Sequence, residues 1–86
     1  MSIRKLNDNY NVISENLKRI RISKHLSQAD ITKDLNLMGI NMHKNDIGKI
    51  EANERTVKDY ELYGIARVLD VSIYELLKGI ENNLDK

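Results

Sequence analysis

Apolar residues along this chain recur at three and four residues, and no segment alternates with period two. From Asn11 the spacing is helical: Ile13, Leu17 and Ile20 form one stripe, which predicts a first helix ending near His25. Ser27 is placed to cap a second helix that opens at Gln28 and carries Ile31 and Leu35. That helix runs into Leu37, Met38 and Gly39, and the glycine supplies the freedom a reversal needs. The stretch MHKNDIGKIE, Met42 to Glu51, predicts a third helix with Ile47 and Ile50 buried. It should close at Ala52-Asn53, because asparagine follows glycine as the preferred left-handed residue past a helix end. Glu54 to Val57 reads as connector. A fourth helix from about Lys58 or Asp59 holds Leu62, Ile65, Ala66 and Leu69 on one face. Asp70-Val71 turns the chain, Ser72 caps a fifth helix with Ile73, Leu76 and Leu77, and Gly79 stops it. Residues 1–10 read as a flexible N-terminal arm and residues 80–86 as a frayed tail, which leaves 11–79 as one domain. The expectation is an all-α fold of five short helices around a single core.

The third helix has two faces. At about 100° per residue, Ile47 and Ile50 fix the buried direction, and Asn45 and Ala52 point nearly opposite. Gly48 and Lys49 flank them, Lys44 lies to one side, and His43 is the cap or first residue. On composition alone such a helix is a solvated surface element, since exposed lysine and asparagine are common.

The composition excludes several functions. Eighty-six residues bury a modest core and leave little chain for a deep catalytic cleft. Without cysteine there is no disulfide, zinc-thiolate site or thiol nucleophile. Four Tyr and no Phe or Trp leave the core to Ile, Leu and Val. The start, MSIRKLNDNY, shows no signal peptide, and no run of apolar residues approaches a membrane span, so a cytoplasmic protein without a membrane partner is expected. His25 and His43 lack further ligands at a metal spacing, so no metal or cofactor is expected. Glu61, Asp59 and Asp70 read as capping and surface residues, with no pocket to make a carboxylate pair of them. No phosphate loop and no serine–histidine constellation occurs, so an enzyme is not expected. The net charge of +1 is a weak signal for nucleic acid, which makes clustering of the cations decisive.

Three stretches in this order, LSQADITKDL, IGKIEANERT and ELYGIARVLDVSIYELL, resemble the helix-turn-helix domain of the lambda-repressor-like (Xre/Cro/CI) family, from Leu17 to Leu77. The interval from Gln28 to Glu51 is longer than the family pattern, and the extra length lies around Asn36–Asn41. Thr32 stands where the family usually has alanine and Asn53 where it usually has glycine. The resemblance implies a five-helix lambda-repressor-like DNA-binding domain whose helix Met42–Glu51 lies in the major groove of double-stranded DNA. Its outer side chains suit that groove: Lys44 and Lys49 can donate to guanine, and Asn45 can make paired bonds to adenine. Gly48 either admits a close approach to DNA or is tolerated drift. The helix start at His43 would offer backbone N–H groups to phosphate.

The resemblance also makes Gln28 a phosphate contact, with His43, Asn53, Arg55 and Lys58 expected around it. It implies a structural ion pair between Arg21 and Glu51. Ile73, Tyr74, Leu76 and Leu77 offer more apolar surface than a terminal helix needs, which either makes a homodimer surface or covers the domain's own core. The expected function is a transcriptional regulator, a repressor binding a palindromic operator as a dimer. The alternative is a protein-interaction module on the same fold, an antitoxin or an adaptor with a regulatory protein partner.

Overall fold

The computed structural model describes residues 9–81. All five regular elements among them are helices: α1 (Ser14–Ser23), α2 (Gln28–Leu37), α3 (Asp46–Glu51), α4 (Asp59–Leu69) and α5 (Ile73–Leu77). Residues 1–8 of the expected arm and 82–86 of the expected tail lie outside the described residues. Each helix gives its stripe to one core. Leu17, Ile31, Leu35, Ile47, Ile50, Ile65, Leu69 and Leu76 have no exposed surface, and each contributes roughly 1.5–3 kcal/mol by leaving water. Helix α2 packs on α3 and α4, and α1 packs on α3 and α5.

The helices are short, so their ends matter. Ser27 caps α2 reciprocally: its hydroxyl accepts from the Asp30 N–H at 2.9 Å, and the Asp30 carboxylate accepts from the Ser27 N–H at 2.8 Å. Ser72 caps α5 through the Glu75 N–H. Four helices end in the same device, a left-handed residue whose two flanking amides turn back to the last carbonyls. After α1 this residue is His25, after α2 Gly39, after α3 Asn53 and after α4 Asp70, with φ of 60°, 87°, 59° and 59°. The next residue donates across the reversal, as in Leu26 N–H to Arg21 O and Ile40 N–H to Leu35 O. Leu26, Ile40 and Val71, in this position after α1, α2 and α4, pack against the core.

Two boundaries differ from the sequence reading. Helix α1 starts at Ser14, not Asn11, because Asn11 is buried and serves another helix. Its amide donates to Ile50 O at 3.0 Å and Arg55 O at 2.9 Å, sealing the end of α3, and its carbonyl oxygen accepts from Ile13 N–H. Helix α3 starts at Asp46, not Met42. Met42 is core, and Asn36 brackets its backbone by accepting from its N–H at 3.0 Å and donating to its carbonyl at 3.3 Å. The extra length is divided: Asn36 and Leu37 extend α2 toward the reversal at Gly39, and the rest is a loop tethered by Asn36 to Met42. Every buried side-chain polar atom among the described residues has a partner. No helix among them is long and apolar enough to cross a membrane.

Candidate nucleic-acid interface

Six helical residues cannot hold themselves in water. Helix α3 stands because Ile47 and Ile50 are sunk in the core and because ion pairs fix it at both ends. At its C-terminal end Glu51 takes Arg21 with two hydrogen bonds, from Nε at 2.6 Å and Nη2 at 3.0 Å. Arg21 Nη1 also donates to Leu26 O, and Gln28 Nε2 donates to Glu51 Oε1 at 3.0 Å. One carboxylate thus ties α1, α2 and α3 together. The hydrogen bond to Glu51 raises the Arg21 pKa, burial opposes it, and the charge of Glu51 adds to the rise, so Arg21 keeps its charge.

The other end is held through Asp46. Its Oδ2 accepts from the His43 N–H at 2.8 Å, and its Oδ1 lies 3.6 Å from Arg55 Nε. Arg55 is itself clasped by Glu61 of α4, with Nη1 and Nη2 each 2.8 Å from a carboxylate oxygen. Glu61 Oε1 also accepts from the Lys58 N–H, capping α4. Burial pushes the Glu61 carboxyl up, but the hydrogen bonds from Arg55 and Lys58 and their charges outweigh it and leave the pKa lowered.

Between these anchors α3 shows solvent an outer face. Asn45 and Lys49 are exposed and stand one turn apart, linked by the Lys49 N–H to Asn45 O bond of 3.1 Å. The Asn45 side chain makes no capping bond. Lys44 is exposed in the turn before the helix, and Ala52 is exposed one turn beyond Gly48. This face carries two ammonium groups and one amide, with donors for acceptor-rich base edges and a paired donor and acceptor on Asn45.

Several expected contacts are placed differently. Gln28 turns its amide inward to Glu51 instead of outward. Gly48 is explained by that amide: a Cβ there would lie 3.1 Å from Gln28 Oε1, so the glycine lets an α2 side chain lie along α3. Arg55 is bound by Glu61, since a carboxylate only 2% exposed needs a cation. Asn53 spends its side chain on the segment before α1, accepting from the Tyr10 and Asn11 N–H groups and donating to Asn9 Oδ1. Asn9 and Tyr10 are therefore tied to the domain and do not belong to a loose arm. His43 uses Nδ1 to accept from the Asn45 N–H at 3.2 Å, and its carbonyl accepts from the Asp46 N–H. The Asn45 and Asp46 amides at the start of α3 are thus satisfied internally and are not presented to an anion. Lys58 remains exposed, its ammonium 5.8 Å from the centre of the Tyr60 ring.

On α5, Leu76 is wholly buried and unavailable to a partner, Leu77 is half-buried against the core, and Ile73 and Tyr74 are exposed. Glu61, expected on the surface, is buried. The Arg55–Glu61 pair went unread because its members straddle a connector and a helix start. The only cue was a glutamate three residues after the cap of α4. Among the described residues no cluster of three or more His, Cys, Asp or Glu could hold a metal.

No protein-family model matches the chain, and no curated protein matches it. Among solved structures the chain is similar to the crystal structure of the hypothetical transcription factor NHTF from Neisseria, with a TM-score of 0.72. The two are 18% identical over 99% of this chain and 92% of that one. At this identity the likeness shows the fold.

Proposed function

We propose that the chain is a DNA-binding transcriptional regulator of the lambda-repressor-like type, reading a palindromic operator as a dimer through the outer face of α3. The observation that carries this reading is the pairing of Asn45 and Lys49 on that face, with Lys44 just before it, on a helix clamped at both ends. A helix pinned in this way holds base-reading groups in a fixed register, and register is what sequence discrimination needs. The similar Neisseria protein, a hypothetical transcription factor, supports the reading.

Phosphate contacts come from Lys58 and from the first backbone N–H groups of α2, at Gln28 and Ala29, which have no acceptor within their own helix. Ile73 and Tyr74 supply the dimer contact, and the two copies of α3 then meet half-sites about 34 Å apart. Occupying a promoter in this way would repress it. Nothing in this mechanism calls for catalysis, a metal or a cofactor.

The exposed Ile73 and Tyr74, with exposed Tyr60 and Tyr63 on α4, also favour a second reading. In it the fold is a protein-interaction module, an antitoxin or an adaptor for another regulator. Band-shift titration against duplexes enriched from random DNA separates the two. Sequence-specific binding that weakens steeply with salt supports the regulator. No shift at low salt, together with a stable complex with another protein, replaces it with the module.

A further inference from the structure

We propose that Glu61 and Arg55, which lie behind the outer face of α3, set the sequence preference of the protein by positioning the turn that carries Lys44 and Asn45. The inference rests on the reading of α3 as the base-reading element and adds to it two residues that touch no base.

The connection is continuous. Glu61 is fixed in α4, is 2% exposed and is the third residue of its helix, where the Lys58 N–H orients it. It grips the Arg55 guanidinium through both terminal nitrogens, and Arg55 Nη1 donates further to Thr56 O at 2.9 Å. A planar fork bound on two sides has one orientation, which a lysine cannot reproduce. The remaining nitrogen, Nε, then faces Asp46 Oδ1 at 3.6 Å, a distance for charge attraction more than for a hydrogen bond. Asp46 Oδ2 holds the His43 N–H. His43 and Asp46 are the two ends of the turn, and Lys44 and Asn45 lie between them.

Charge argues the same way. Asp46 opens α3, where an uncompensated carboxylate would repel a polyanion, and Arg55 offsets it from behind. A phosphate could take both terminal nitrogens of Arg55 only by stripping two hydrogen bonds from a buried carboxylate. That cost exceeds the return from one solvent-exposed arginine–phosphate contact. Arg55 therefore stays with Glu61 when DNA binds.

The test uses the full chain with Glu61→Gln and Asp46→Asn, each first shown to be folded by circular dichroism. The second variant alters a half-buried side chain outside the core and carries the test if the first does not fold. Binding is measured to the duplex enriched by the wild-type chain and to a scrambled duplex. Both variants are expected to lose about tenfold in the ratio of the two affinities, with scrambled-duplex affinity unchanged in Glu61→Gln and not weakened in Asp46→Asn. An unchanged ratio in the folded variants overturns the proposal. So does tighter binding of Glu61→Gln to both duplexes, because that result means a released Arg55 grips phosphate. Amide hydrogen exchange on the free proteins tells this failure from a failure of the DNA reading. Exchange at Asn45 and Asp46 should quicken about tenfold in the variants, while amides of α1 and α2 hold. Unchanged exchange there overturns the positioning role even if DNA binds, and quickened exchange in a protein that binds no DNA counts against the regulator reading alone.

Discussion

Gln28 reaches across Gly48 and donates its amide to Glu51 Oε1, which Arg21 Nη2 also contacts, both at 3.0 Å. Three helices therefore depend on one carboxylate, and the depth of the Arg21–Glu51 pair decides what its loss costs. With side chains 13% and 5% exposed, the pair is largely shielded from water. Glu51→Ala should cost about 3–5 kcal/mol, as for a buried pair that loses one member. Gln28→Ala, which removes a single bond and leaves Glu51 with Arg21, should cost about 1 kcal/mol. Urea unfolding followed by circular dichroism measures both, and equal losses would refute the hierarchy.

Asn45→Ala and Lys49→Ala should leave unfolding unchanged, because both side chains project to solvent. Each should lower discrimination between the preferred and a scrambled duplex by about 1–3 kcal/mol. Arg55→Ala belongs to a different class. It strands Glu61, so its main effect should be on stability and not a uniform weakening of DNA binding. An Asn45→Ala protein with the affinity and preference of the wild type would remove α3 as the reader.

Helices and core were legible because the apolar spacing is strict and the caps are conventional. Ser27, Ser72, Gly79 and Asn53 fall where sequence reasoning puts them. The start of α3 was not legible. Asn36 bonds both backbone groups of Met42, a tertiary tie that leaves no periodic mark and draws Met42 into the core before the helix begins. The candidate site divides along the same line. Outward side chains follow from helical angle alone, which fixed Asn45 and Lys49. Arg55, Asn53 and Gln28 are polar residues of the right type near the right face, but each is turned to a partner distant in sequence. Composition cannot tell a donor aimed at solvent from one aimed at a buried carboxylate.

Acid should unfold the protein in part through Glu61. Its pKa is lowered in the folded state, so the unfolded chain takes up the proton first as pH falls. Its contribution is therefore complete above the unfolded value of about 4.3 and drains away as pH falls through the folded one. Asp30, lowered by its backbone and hydroxyl bonds with Ser27, acts in the same direction. Tm measured from pH 7 to pH 3 should fall below about pH 4.3, and the fall should be shallower in Glu61→Gln. A variant with the wild-type slope would mean that other carboxylates govern the transition.

Gly64 is buried where α4 meets α2, and a Cβ there would collide with Ile40 Cδ1 and Leu35 Cδ2. Alanine gains about 1 kcal/mol of helix propensity but overpacks the core by about 1–3 kcal/mol. Gly64→Ala should therefore lower stability by up to about 2 kcal/mol, at roughly 4–8 °C of Tm per kcal/mol. A rise in Tm would show that Ile40 moves aside freely.

The amide of Asn11 stoppers α3 from 39 positions upstream, at Ile50 O. A truncated fragment beginning at Ser14 would thus contain the residues of all five helices and yet leave the Arg55 carbonyl without the Asn11 donor and the Ile50 carbonyl with only the Asn53 N–H. Trimming, tagging or proteolysis just ahead of α1 reaches α3 directly, so the short segment before α1 belongs to the support of α3 as much as the helices do.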